Sequence, residues 1–264
     1  DTVTESAMAI EMETAGGLGI IHRYNSIEDQ CRLVRESNCT NVGVAVGISG
    51  DYLQRSIEAI HNGANIICVD VAHGHHIKMK HALCQLRKAV GDSIHIMAGN
   101  VATLAAFNDL ADWGADSIRV GIGGGSICST RTQTGHGVPT LQSVFDCSYT
   151  GKDVAIIADG GIRNSGDIVK ALAAGADFVM LGSLLSGTEE SPGDYHLMDN
   201  QRMKTYRGMA SKDAQIDWRG HASSLEGVTS FVPDKGPAAA VLSDLEAGIR
   251  SGLSYSGADS IRRL

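Results

Sequence analysis

Basic residues are the minority in this chain: 22 Lys and Arg stand against 30 Asp and Glu, for a formal net charge of −8. A face that tracks a nucleic-acid backbone needs clustered Lys and Arg. None occurs, which excludes sequence-independent nucleic-acid binding, so any phosphate held here is gripped by backbone N–H groups and a few side chains. No apolar run reaches the length of a membrane span, so no membrane partner is expected. The six cysteines, Cys31, Cys39, Cys68, Cys84, Cys128 and Cys147, form no CxxC pair and no regular spacing, which favours reduced thiols over a disulfide framework. No secretory leader is legible, and the chain reads as cytoplasmic. Proline is scarce, 4 residues against 32 Gly, and 43% of the chain is hydrophobic, a globular composition rather than a disordered one.

What the chain does have is a repeat. Short Val- and Ile-rich runs at Leu18–Ile21, Val42–Val46, Ile66–Val71, Ile94–Ala98, Ser117–Val120, Val154–Ala158 and Phe178–Leu181 alternate with stretches of helical period. Three of the helices end alike, in "NGANIICVD", "WGADSIRV" and "AGADFVML", where a Gly past the helix end precedes a small residue and a buried strand. Regular βα units over 264 residues predict a single α/β domain, residues 1–264, with the (β/α)8 TIM-barrel architecture. Seven strands are legible where the barrel needs eight, so the first strand is expected ahead of Asp1. The stretch 186–235 lacks the βα period and reads as a mobile flap over the barrel mouth. A helix at Ala238–Arg250 follows it.

In such a barrel the strand C-termini and the loops after them carry the site. Uncommon residues gather there: Asp70 and His73, Asn100, the loop "GIGGGSICSTRTQTGHG" at Gly121–Gly137, Asp159, and Gly182 with Ser183. Glycines after the last two strands, in "ADGGIRNSGD" and "LGSLLSG", place backbone N–H groups where this fold holds phosphate, although such glycines also simply make tight turns. Cys128 lies in the Gly-rich loop, three residues before Arg131, with the hydroxyls of Ser129 and Thr130 beside it. A free Cys is commonly inert packing, and Cys68 within "IICVD" is such a case. A Cys in a loop at the catalytic end reads instead as a nucleophile. His73, His75 and His76 lack the helical i, i+4 spacing and carboxylate partner of a zinc site and read as solvated loop residues. Asp70 and Asp159, at the ends of buried strands, are costly unless bound to something, and a ribose diol offers two donors; the alternative is that each caps the next helix.

Together these segments resemble the IMP dehydrogenase and GMP reductase family through nearly the whole chain. "DTVTESAMAIEMETAGGLGIIHRYNSIEDQ" resembles its first βα loop and second strand, and "GIGGGSICSTR" its catalytic Cys loop. "IADGGIRNSGDIVKALAAGADFVMLGSLLSGTEESPG" resembles its monophosphate-binding half, and "YRGMAS" (Tyr206–Ser211) and "GIRSGLSYSGA" (Gly248–Ala258) complete the series. The resemblance implies a purine nucleoside monophosphate substrate. Ser126, Gly160, Gly161, Gly182, Ser183 and Tyr206 would hold it, with Asp159 on the ribose and Gly208 and Met209 on the base. Cys128 would attack purine C2, helped by Thr130, and Asp70 with Asn100 would face a nicotinamide dinucleotide. It also implies a monovalent cation, potassium, on the carbonyls of Gly123, Gly125 and Cys128, and a homotetramer.

Two branches of the family compete. The tandem domain that many IMP dehydrogenases insert is absent, since Gln30 runs almost directly into Val42. The flap from Ala210 to Lys235 is short and has no Arg-Tyr pair of the kind that activates water in the dehydrogenase branch; Arg219 follows Trp218 and precedes Gly220. Where reductases carry a Glu just after the "GMSS"-like turn, this chain reads "GMASKD", with Lys212 there and Asp213 next. The expectation is therefore a GMP reductase that uses NADPH, with Asp213 as the acid. The alternatives are an IMP dehydrogenase using NAD and, in another class, a barrel that binds nucleotide without turning it over.

Overall fold

The computed structural model describes residues 1–223 and 225–264. After α1 (Ser6–Thr14), seven parallel strands pair in sequence order: β1 (Gly19–Ile21), β2 (Val42–Val46), β3 (Ile66–Asp70), β4 (His95–Val101), β5 (Ser117–Val120), β6 (Ala155–Asp159) and β7 (Phe178–Met180). Between them run α2 (Ile27–Ser37), α3 (Tyr52–His61), α4 (Ile77–Val90), α5 (Leu104–Asp112), α6 (Thr130–Thr134), α7 (Thr140–Cys147) and α8 (Ser165–Ala173). All seven expected strands form, in the order of a (β/α)8 barrel. The sheet curls, and its two edges are bridged where Met8 of α1 packs on Leu185 and on Ala238, the first residue of α10 (Ala238–Tyr255).

The three Gly-Ala turns behave as one device. Gly63, Gly114 and Gly175 have φ of +111°, +104° and +106°, a conformation costly for a residue with a Cβ. In each, the next alanine N–H returns to the helix: Ala64 to Ala59, Ala115 to Leu110 and Ala176 to Ala171, at 3.0, 3.2 and 3.0 Å. The residue after that alanine uses its side chain to accept an N–H from the first or second residue of the preceding strand. Asn65 accepts from Val42, Asp116 from Ile96 and Asp177 from Ile156, at 3.1, 2.7 and 2.8 Å. A Gly-Ala-Asn/Asp triplet thus ends a helix and sets the register of two strands.

Side chains alternate across each strand. Val44, Val46, Ile67, Val69, Ile96, Ala98, Ile118 and Ile156 bury themselves toward the helices, at roughly 1.5–3 kcal/mol for each fully buried branched side chain. The other parity lines the barrel interior, where Cys68, Met97 and Ile157 pack together. The same parity, two residues further along, brings Asp70, Gly99 and Asp159 to the C-terminal rim, with Arg119 beside them on β5.

The 186–235 stretch is not irregular. It forms β8 (His196–Met198), β9 (Gln201–Arg207) and β10 (Thr229–Pro233), an antiparallel sheet in the order β10-β9-β8, with α9 (Lys212–Arg219) between β9 and β10. Among the described residues no helix is long and apolar enough to cross a membrane.

Candidate active site

The Gly-rich loop after β5 rests on the turn after β6. A Cβ on Gly121 would lie 1.9 Å from the Asp159 carbonyl oxygen, and one on Gly160 would lie 3.1 Å from the Gly124 and Gly125 backbone, so both positions must be glycine for the two loops to touch. Gly160 and Gly161 also take φ of +92° and +80°. Gly182 needs no such conformation; a Cβ there would sit 3.4 Å from the Tyr206 hydroxyl. Tyr206 is buried, which pushes its phenol pKa up and keeps it protonated, and its oxygen lies 3.4 Å from Ser126 Oγ. Ser126, Tyr206 and Gly182 therefore converge beside the Gly160–Gly161 turn, while Ser183 follows Gly182 and accepts Lys235 Nζ on its carbonyl at 2.6 Å.

The Cys loop is held from the flap side by backbone pairing. Ser129 N–H donates to the Glu226 carbonyl at 2.9 Å and Val228 N–H to the Ile127 carbonyl at 3.1 Å. The other edge of the 226–228 segment pairs with the "YRGMAS" turn, through Glu226 N–H to Ala210 and Gly208 N–H to Val228, at 3.2 and 3.1 Å. Met209, in that turn, sets its sulfur 3.6 Å from the Asp1 nitrogen. Glu226, clamped on both sides, accepts the Thr130 hydroxyl on its carboxylate at 2.7 Å, and the Cys128 thiol lies 3.2 Å from that hydroxyl. Cys128 is half-buried, so a thiol, a hydroxyl and a carboxylate form a chain that a proton can travel beside an accessible nucleophile.

The structure sets a carboxylate other than the expected acid at Thr130. Asp213 is exposed in the first turn of α9, where Ser211 caps the helix by accepting Ala214 N–H, and among the described residues it makes no hydrogen bond to Cys128 or Thr130. Lys212 is exposed beside it, and Arg219 donates to Gln215 at 2.6 Å. Glu226 is the carboxylate at Thr130. Its sequence signal is weak, since it is one of four carboxylates between Ala210 and Lys235.

At the rim, neither strand-end Asp caps a helix: α4 is capped by His76 and α8 by Asn164. Both instead bind Arg119, a second residue the sequence reading missed. Arg119 Nη2 donates to Asp70 Oδ1 at 2.6 Å and Nε to Asp159 Oδ2 at 3.2 Å. Burial pushes the Asp70 carboxyl up, but the charge and hydrogen bond of Arg119 outweigh it and hold the group below its ordinary range. Asn100 donates to the Gly121 carbonyl at 2.8 Å and to Asp159 Oδ2 at 2.9 Å and accepts from Arg119, so its amide is engaged within the protein. The signal for Arg119 was a charged residue inside a four-residue strand that is buried throughout.

His75 pairs with Asp109 at 2.8 Å and stacks on Trp113, and His76 caps α4. Among the described residues, no three His, Cys, Asp or Glu side chains gather as a metal site. The Gly125 carbonyl accepts the Cys128 N–H at 3.2 Å and keeps a second lone pair. A cavity of about 120 Å³ opens beside Val71, between Arg23, Arg55 and Trp218.

The family model described as IMP dehydrogenase / GMP reductase domain matches residues 1–264. The inosine-5'-monophosphate dehydrogenase of Nitrosopumilus maritimus is 45% identical over 237 residues, covering 84% of this chain and 50% of that protein. The GMP reductase of Leishmania major is 44% identical over 235 residues, 83% of this chain and 47% of that protein. The chain thus spans about half the length of these relatives. Among solved structures, a cysteine-to-alanine variant of GMP reductase from Trypanosoma brucei, in complex with guanosine 5'-monophosphate, superposes with a TM-score of 0.92 at 30% identity, covering 100% of this chain and 84% of that one.

Proposed function

The chain belongs to the IMP dehydrogenase / GMP reductase family, and we propose that within it the protein is a purine nucleotide oxidoreductase that converts GMP to IMP. The hydrogen-bonded series Cys128–Thr130–Glu226 carries the covalent chemistry, and the lack of an Arg-Tyr pair in the sequence from Ala210 to Lys235 favours the reductase branch. The thiol proton passes through the Thr130 hydroxyl to Glu226, and the thiolate forms a bond to purine C2. Glu226 then returns the proton through Thr130 to the exocyclic amine, the C2–N bond breaks, and ammonia leaves the covalent adduct. A reduced nicotinamide dinucleotide, NADPH in this reading, supplies the hydride that takes the amine's place at C2. The C–S bond then breaks, Cys128 departs as thiolate and IMP is released.

Ser126, Tyr206 and the Gly160, Gly161, Gly182 and Ser183 backbone serve the monophosphate, Asp159 the ribose, and Gly208 and Met209 the base. Asp70 fits a dinucleotide because its Oδ2 receives no hydrogen bond among the described residues, whereas Asn100, its amide engaged, positions Asp159. The carbonyls of Gly123, Gly125 and Cys128 remain the candidate ligands for potassium. A single barrel domain, a homotetramer and a cytoplasmic setting belong to the same reading.

The dehydrogenase alternative uses the same three residues, with Glu226 taking a proton from water through Thr130 to turn the adduct into XMP, and a relative at 45% identity bears that name. A barrel that only binds nucleotide has no use for this series. The test is Cys128→Ala. Turnover should vanish while the monophosphate Kd stays within about threefold, because the thiol bonds to substrate only along the reaction path. Turnover near that of the parent removes the covalent mechanism.

A further inference from the structure

One buried guanidinium serves both halves of the proposed site. The Arg119 side chain is 8% exposed, and it anchors Asp70 through Oδ1 and Asp159 through Oδ2. Its remaining bonds go to Asn100 Oδ1 and to Cys68 Sγ, the latter at 3.0 Å. Among the described residues no donor reaches Asp70 Oδ2 or Asp159 Oδ1, and the two side chains keep 33% and 21% exposure. Each carboxylate, one on β3 and the other on β6, therefore has one oxygen fixed by Arg119 and one left for a ligand.

We propose that Arg119 is a positioning residue that couples the nucleotide site to the dinucleotide site. The proposal rests on the reading given above, in which Asp159 takes the ribose and Asp70 the dinucleotide. Two partly exposed carboxylates share a single buried cation, and burial of the guanidinium strengthens its interaction with both. When ribose hydroxyls donate to Asp159, its pull on the guanidinium weakens and Arg119 closes further on Asp70, which changes the acceptor that the dinucleotide meets. Linkage requires the reverse effect to be equal.

The coupling is measured with GMP and NADP+ as separate ligands by calorimetry. Asp159→Asn should weaken GMP binding and, with no GMP present, also weaken NADP+ binding by about fivefold or more, since the whole Arg119 charge then falls on Asp70. In an Arg119→Met background the same substitution should change the NADP+ Kd by less than about twofold. Should Arg119→Met not fold, Arg119→Lys serves: it keeps the charge but cannot fork between two carboxylates, and the effect of Asp159→Asn on NADP+ should shrink in it as well. If Asp159→Asn leaves GMP affinity unchanged, the ribose reading is wrong and the proposal goes with it. If Asp159→Asn weakens GMP but not NADP+, or if its effect on NADP+ survives in both Arg119 variants, the ribose reading stands and the coupling role of Arg119 is overturned.

Discussion

Thr130 gives its hydroxyl proton to the Glu226 carboxylate at 2.7 Å, a contact that joins the Cys loop to the flap across 96 residues of sequence. Because the Glu226 backbone is paired on one side with the Cys loop and on the other with the "YRGMAS" turn, the carboxylate is placed before any ligand arrives, which is the geometry an acid-base residue requires.

Glu226→Gln keeps a hydrogen-bond partner for Thr130 but cannot hold the travelling proton. We expect kcat to fall about 100-fold with the nucleotide KM little changed, because the proton matters only along the reaction path. Steady-state kinetics, with ammonia release followed alongside, makes the comparison. Asp213→Asn, on the exposed first turn of α9, should have the smaller effect, and the reverse ranking would assign the acid role to Asp213.

The contact between the Cys loop and the β6 turn has a price in sequence freedom that can be measured as stability. Gly121→Ala should destabilise the fold by at least about 2 kcal/mol, since the added Cβ meets the Asp159 carbonyl in a backbone conformation that side chains disfavour. Urea unfolding midpoints report it, and a loss under about 0.5 kcal/mol, the range of a surface change, would show that the two loops do not press together.

Acid sensitivity follows from Asp70. Its carboxyl titrates below the ordinary value of about 3.9 in the folded protein, because Arg119 outweighs burial. A depressed carboxylate contributes stability that is present above the unfolded pKa and is lost as pH falls through the folded one. Asp70→Asn should therefore flatten the decline in stability below about pH 4. Unfolding curves across pH 3–6 with equal slopes for the parent and the variant would mean that this pair contributes nothing to the acid limb.

Strand order was legible in part because three of the βα units write the same triplet: Gly63-Ala64-Asn65, Gly114-Ala115-Asp116 and Gly175-Ala176-Asp177 end helices and pin strands by local chemistry. Boundaries were less so. The helix expected to stop at Arg250 runs to Tyr255, and the glycines within it are contacts rather than stops. A Cβ on Gly248 would strike Ser165 Oγ at 2.1 Å, and one on Gly252 would strike Val169 of α8 at 2.6 Å. The flap sheet was missed because β8 and β9 join through Asp199 and Asn200, both at positive φ, between strands whose outer positions lack a clear period. Within the candidate site, the Cys128–Thr130 pair could be named from sequence. Glu226 and Arg119 could not, since each acquires its role only when distant strands and loops are brought together.

The most direct test is spectrophotometric. With GMP and NADPH, the protein should consume the reduced-nicotinamide absorbance and release one ammonia per NADPH, and with IMP and NAD it should form little reduced cofactor. Steady formation of NADH and XMP from IMP and NAD, without NADPH consumption on GMP, would contradict the reductase account and assign the Cys128–Thr130–Glu226 series to water activation instead.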